Sequence, residues 1–117
     1  MAKITFNKCL QDAQDLGSDD EFMVSRVYFS LIIDDKIYEN LYADVKQAVG
    51  SNFEDSNFEV SPPHGYDGPL SYPKFRDCVI KYYTSLIGPK GRLIRFEKAR
   101  DIVMRNNVLS MPMTFEI

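Results

Sequence analysis

The sequence predicts an α+β fold: an antiparallel sheet of four to six strands with one long helix over about residues 73–87 and one or two short helices packed on one face. Two stretches carry that prediction. Residues 22–42, FMVSRVYFSLIIDDKIYENLY, alternate with period two on either side of a turn, as a β-hairpin does. Residues 73–87, PKFRDCVIKYYTSLI, repeat apolar side chains at spacings of three and four between a proline start and a Gly88-Pro89 stop. A local hairpin favours antiparallel pairing, and an amphipathic helix then covers one face of the sheet.

At 117 residues the chain reads as a single domain, 1–117, able to bury a core without metals or disulfide staples. Its 44% hydrophobic and 13% aromatic content separates it from disordered chains. It contains no apolar run long enough for a membrane helix, and its first residues lack the apolar centre of a secretory signal. Cys9 and Cys78 lie far apart with no CxxC spacing, which suits two buried thiols in a reducing compartment. A soluble, cytoplasmic protein is therefore expected, without cofactor or metal. Residues 1–87 carry 8 basic and 14 acidic side chains, net −6, whereas residues 88–117 carry 6 and 3, net +3. Such a division suits head-to-tail self-association or a polyanion held at one edge.

Taken in order, the chain opens with a short strand at Ile4-Thr5-Phe6. Asn7 then suits the cap of a helix through Leu16, with Cys9 or Leu10, Ala13 and Leu16 at helical spacing and Gly17 closing it. Ser18-Asp19-Asp20-Glu21 lacks the alternating ligand pattern of a calcium loop and reads as a solvated linker.

The hairpin follows. A three-residue loop over Asp34, Asp35 and Lys36 sets Ile33 against Ile37, Phe29 against Leu41 and Val27 against Ala43 on one face. Glu39 is the polar intruder there. The other face then pairs Ile32 with Tyr38, Tyr28 with Tyr42 and Arg26 with Asp44, and either lies under a helix, the preferred reading, or serves a partner. A two-residue turn at Asp34-Asp35 would put Asn40 opposite Phe29 and mix the faces, so the longer loop is preferred.

After Asn40 the spacing of Leu41, Val45, Ala48 and Val49 predicts a short helix, 41–49, capped by Asn40 and ended by Gly50. SNFE occurs twice in residues 51–59, too short a unit for a solenoid, and reads as a turn before a strand at Phe58 to Ser61.

Residues 62–73 hold four prolines and two glycines, which exclude regular structure and make a stiff loop. His64, Tyr66, Asp67 and Tyr72 lie in it and are the candidate binding residues, with Tyr28 and Tyr38 of the hairpin as further anchors. A hydrogen bond between His64 and Asp67 would orient the imidazole for acid–base work, with Cys78 a nominal nucleophile, although Cys78 falls on the apolar stripe of the next helix, where a thiol packs. Neither GxSxG, HExxH nor a phosphate-binding glycine fingerprint accompanies them.

In the long helix, Phe75, Cys78, Val79, Tyr82, Tyr83, Leu86 and Ile87 form the apolar stripe, and Lys74, Asp77, Lys81 and Ser85 the other face. Core packing accounts for Tyr82-Tyr83 better than a platform for bases does. Arg92 to Glu97 alternates basic with apolar residues as a strand. Asn106-Asn107 suits a hairpin turn between strands at 102–105 and 108–117, although 97–105 also fits helical spacing. Pro112 marks the last strand as an edge or a bulge.

Three functions follow. The first is a non-enzymatic protein-interaction or assembly module, oligomeric, using the 62–72 loop and the tyrosine face. The second is nucleic-acid or polyanion binding through the basic 90–105 segment, at Arg92, Arg95 and Arg100; the pI of about 5.1 and the scarcity of aromatics there weaken it. The third is a small-molecule enzyme using His64 and Asp67.

Overall fold

The structure, a computed structural model, describes residues 2–11, 14–48, 57–87, 108–109 and 112–117, and among these it holds six antiparallel strands, one α-helix and a short 3-10 turn. The strands are β1 (Ala2–Leu10), β2 (Phe22–Ile33), β3 (Lys36–Ala48), β4 (Phe58–Val60), β5 (Val108–Leu109) and β6 (Met113–Glu116), and the helix is α1 (Tyr72–Ile87). They form one sheet in the order β4-β3-β2-β1, with β5 and β6 both pairing along the far edge of β1. The α+β prediction holds at that level. The strands expected at 92–97 and 102–105 lie outside the described residues.

The long helix matches its sequence signature. Phe75 donates its N–H to the Ser71 carbonyl at 2.9 Å, so Ser71 is the cap and Pro73 falls in the first turn, where its missing donor costs nothing. Phe75, Cys78, Val79, Tyr82 and Tyr83 are buried against the sheet, while Lys74, Asp77 and Lys81 face away. Arg76 donates to the Phe58 carbonyl at 2.9 Å and the Tyr72 hydroxyl to that of Val60, tying the start of α1 to β4.

Phe6 occupies the middle of the core. Its ring stacks on Tyr82 at 4.5 Å and meets Phe29 at 5.7 Å and Phe115 at 5.8 Å. Phe29 in turn packs on Phe75, and Phe58 on Tyr83. Tyr82 and Tyr83 are fully buried, so they are core residues and offer no platform to a ligand. Each aromatic side chain so buried contributes about 1.5–3 kcal/mol.

Two short helices of the sequence reading are strand instead. Residues 7–10 continue β1, and Gln14–Leu16 forms a single 3-10 turn, after which Gly17 takes the expected left-handed conformation at φ +105°. Residues 41–48 continue β3. Each of these two strands carries a register shift. In β1 the register against β2 shifts between Phe6 and Lys8, and in β3 the shift falls between the pairs Leu31–Tyr38 and Phe29–Leu41. Each β-bulge adds a residue, so Phe6 and Cys9, like Tyr38 and Leu41, face inward three positions apart. Beyond its bulge β3 buries Leu41, Ala43, Val45 and Gln47 in strict alternation, so the helical spacing of Leu41, Val45 and Ala48 is coincidental.

The hairpin register is corrected at its tip. The turn has two residues, Asp34 (φ 49°) and Asp35 (φ 67°), closing on the pair Ile33–Lys36. Positive φ at both turn residues matches the right-handed twist of the strands, which a longer loop does not require. Ile32 therefore pairs with Ile37 and Leu31 with Tyr38. The bulge, with Asn40 at φ 60°, then absorbs the extra residue. Below it Phe29–Leu41, Tyr28–Tyr42, Val27–Ala43 and Arg26–Asp44 pair as the sequence predicts.

Around residues 18–22 the acidic linker is a structured turn. The Asp19 carboxylate accepts the N–H groups of Glu21 and Phe22 at 2.8 and 2.9 Å. The buried Ser18 hydroxyl accepts from the Val24 N–H and donates to the Val24 carbonyl.

Candidate functional site

α1 covers the face of the sheet that carries Phe6, Phe29 and Val27. Tyr28, Tyr42 and Arg26 therefore stand on the opposite face, which reverses the expectation that the tyrosine face lies under a helix. Among the described residues no helix covers it.

One row of register partners crosses that outer face: Lys8, Tyr28, Tyr42 and His64. The Lys8 ammonium lies 4.9 Å from the Tyr28 ring centre, the two tyrosine rings are 6.4 Å apart, and the His64 imidazole stacks on Tyr42 at 4.6 Å. Arg26, in the next row, places its guanidinium 4.0 Å from the Tyr42 ring centre and holds Asp44 through two bonds of 2.7 and 3.1 Å. The hydrogen bond to Asp44, ahead of the surrounding charges, raises the Arg26 pKa above its ordinary range. Cationic and aromatic groups thus satisfy one another along the row. Arg26 reaches Tyr42 from β2 and His64 reaches it from the loop, so that ring is closed to a stacking base.

Nearer the hairpin tip the face becomes apolar. Ile37 is 63% exposed and its cross-strand partner Ile32 is 37% exposed. Lys3, Ile32, Asp34 and Asp35 line a cleft of about 370 Å³ beside them. A larger cleft, about 440 Å³, lies at the other end of this face between Asp44, Lys46, Glu59 and Phe22.

The 62–72 loop is a strap on the edge of β3. His64 exchanges main-chain bonds with Tyr42, donating at 2.8 Å and accepting at 3.3 Å, and Ser61 donates its N–H to Asp44. Gly65 then turns the chain at φ +96°, with its Cα so near Leu41 that a Cβ would stand 2.9 Å from Leu41 Cδ2. Tyr66 packs edge-on against Tyr38 at 4.9 Å and donates its hydroxyl to the Pro69 carbonyl. Partial burial first, then neighbouring Tyr38, Asp67 and Asp34, push the Tyr66 phenol above the ordinary tyrosine range.

The predicted site residues therefore separate. His64 joins Tyr28 on the outer face, whereas Tyr38 and Tyr66 lie on the helix-side face at its margin. The bulge at Asn40 moves Tyr38 across; without it Tyr38 would sit beside Tyr28 as expected. Tyr72 is 39% exposed and its hydroxyl is committed to Val60. His64 spends its contacts on Tyr42, and no hydrogen bond or ion pair links it to Asp67. Arg92, Arg95 and Arg100 lie outside the described residues. The sequence reading missed Ile32 and Ile37 as surface residues. Asp34-Asp35 was the available signal, since its acceptance of positive φ permits the two-residue turn that turns Ile37 outward.

Among the described residues no group of three His, Cys, Asp or Glu side chains is placed to hold a metal ion, and no helix is long and apolar enough to cross a membrane. The fold and surface define an antiparallel sheet layered on one side by a helix, with a cation–aromatic row and an apolar hairpin tip on the other. Comparison with known proteins adds no relative: no family model, curated protein or solved structure matches the chain.

Proposed function

We propose that this chain is a non-enzymatic protein-interaction module that docks through the tip of the β2–β3 hairpin and the adjoining outer face. The observation that carries the reading is the cross-strand pair Ile32 and Ile37, two large apolar side chains left in solvent beside a row of half-buried tyrosines. Tyrosine, arginine and exposed apolar side chains are the groups that anchor protein contacts when water is excluded around them. The sheet beneath them is held by a full core, so the surface is rigid before a partner arrives and little order is lost on binding.

A photo-crosslinking residue at position 37, compared with one at Lys74 on the outer side of α1, tests this in the source cell. Adducts to defined protein partners, or to a second copy of the chain, are expected at position 37 and not at 74. Equal labelling at both positions, or none at 37, overturns the reading. Native mass spectrometry of the purified chain and of Ile37→Lys then tells self-association from a different partner.

A further inference from the structure

We propose that the open edge of β3 at Lys36–Glu39 is a strand-addition site for an extended segment that alternates apolar and basic residues. This rests on the interaction-module reading and names the partner of that surface.

The main chain carries the argument. The two-residue turn closes on the pair Ile33–Lys36, and alternation of the antiparallel ladder then turns the N–H and C=O of Ile37 away from β2. Glu39, at the bulge, presents the same edge. Farther along β3 that edge is occupied: Tyr42 by His64, Asp44 by Ser61, and Val45–Gln47 by β4. After His64, Gly65 turns the chain at φ +96° and Tyr66 packs on the ring of Tyr38, and among the described residues no strand pairing or loop bond reaches Ile37 or Glu39 from the side away from β2. An unpaired strand edge beside exposed apolar side chains is a template for another strand.

The side chains define what the added strand must look like. On the outer face an incoming side chain meets Ile37 and Ile32, both exposed and uncharged. On the helix side it meets the rings of Tyr38 and Tyr66. Charge along the β3 side of this margin is mostly acidic: Asp34, Asp35, Glu39 and Asp67 are exposed beside Lys36, with Lys3 across the cleft on the β1 side. Asp34 and Asp67 both act electrostatically on the Tyr66 phenol, which places them around that pair of rings. A strand with apolar residues on one side and lysine or arginine on the other fits both faces, cations over phenol rings and beside carboxylates. A neutral or acidic strand would bring no opposite charge to those carboxylates.

The test uses the full-length chain and a nine-residue synthetic peptide alternating valine and lysine, followed by amide NMR and hydrogen exchange. Saturable shifts at residues 36–40 are expected, with slowed exchange of the Ile37 and Glu39 amides. A peptide N-methylated along its pairing edge should bind about tenfold more weakly or worse, since each lost main-chain bond costs about 1 kcal/mol or more. Ile37→Lys should weaken binding by a similar factor. Shifts without slowed exchange, or equal binding by the N-methylated peptide, would show electrostatic adhesion only and overturn strand addition. No saturable binding overturns it too. If the peptide fails while position 37 still crosslinks in cells, the interaction module stands and strand addition falls; if both fail, both fall.

Discussion

Tyr42 and His64 are joined twice, by reciprocal main-chain bonds of 2.8 and 3.3 Å and by rings stacked at 4.6 Å. The pair fastens a proline-rich loop to a strand edge that regular pairing cannot follow, because Pro62 and Pro63 have no N–H to give. His64→Ala should remove the ring contact and leave the main-chain bonds. The expected loss is about 0.5–1.5 kcal/mol by urea unfolding, with the Tyr42 amide still slow to exchange. A Tyr42 amide that exchanges freely in the variant would show that the ring, and not the backbone, holds the strap.

Gly65 is the one glycine in the strap that both conformation and space require. At φ +96° with Leu41 Cδ2 at 2.9 Å from any Cβ, Gly65→Ala meets strain and collision together. A loss of about 1–3 kcal/mol is expected, read from the denaturation midpoint. An unchanged midpoint would mean that the strap contributes nothing to stability.

Asp35 and Asn40 hold positive φ for different reasons, and substitution should move them in opposite directions. Asp35→Gly relieves a left-handed residue in the turn and should stabilise by about 0.5–1 kcal/mol. Asn40→Val puts a β-branched side chain into the same conformation at the bulge and should cost about 1–3 kcal/mol. A thermal melt of each variant checks the signs. If Asn40→Val were neutral, the bulge would have an alternative register, and Tyr38 would return to the face of Tyr28.

Cys9 is fully buried, and burial pushes its thiol up to about 12. An unfolded cysteine ionises near about 8.5, so the unfolded chain loses its proton first as pH rises. The contribution is therefore fully present below about pH 8.5 and is lost between there and about 12, at most about 1.4 kcal/mol per pH unit. Urea midpoints measured from pH 7 to 11 should fall over the upper half of that range in the native sequence. Cys9→Ala, less stable at neutral pH because of its cavity, should lose that part of the slope. Identical slopes would place the alkaline sensitivity elsewhere.

Alternation and periodicity within the sequence determined the hairpin, the long helix from its proline to Ile87, the buried stripe of that helix and the left-handed Gly17. These are local properties: a period of two or of 3.6 is written in side-chain order, and proline and glycine bound it. The middle of the hairpin register was legible for the same reason, since Phe29–Leu41 and Tyr28–Tyr42 keep apolar and polar faces apart. Only the tertiary structure decided what happens at Asn7 and Asn40. A bulge inserts one residue whose cost is met by the neighbouring strand, so side-chain order along one strand does not mark it. From that one residue at Asn40 follow the rest: Tyr38 crosses to the helix side, Ile37 turns into solvent, and the candidate site moves from the loop to the hairpin tip. Which face α1 covers was likewise a matter of packing, because both faces of β2 carry enough apolar surface, Phe29 on one and Tyr28 on the other, to have received it.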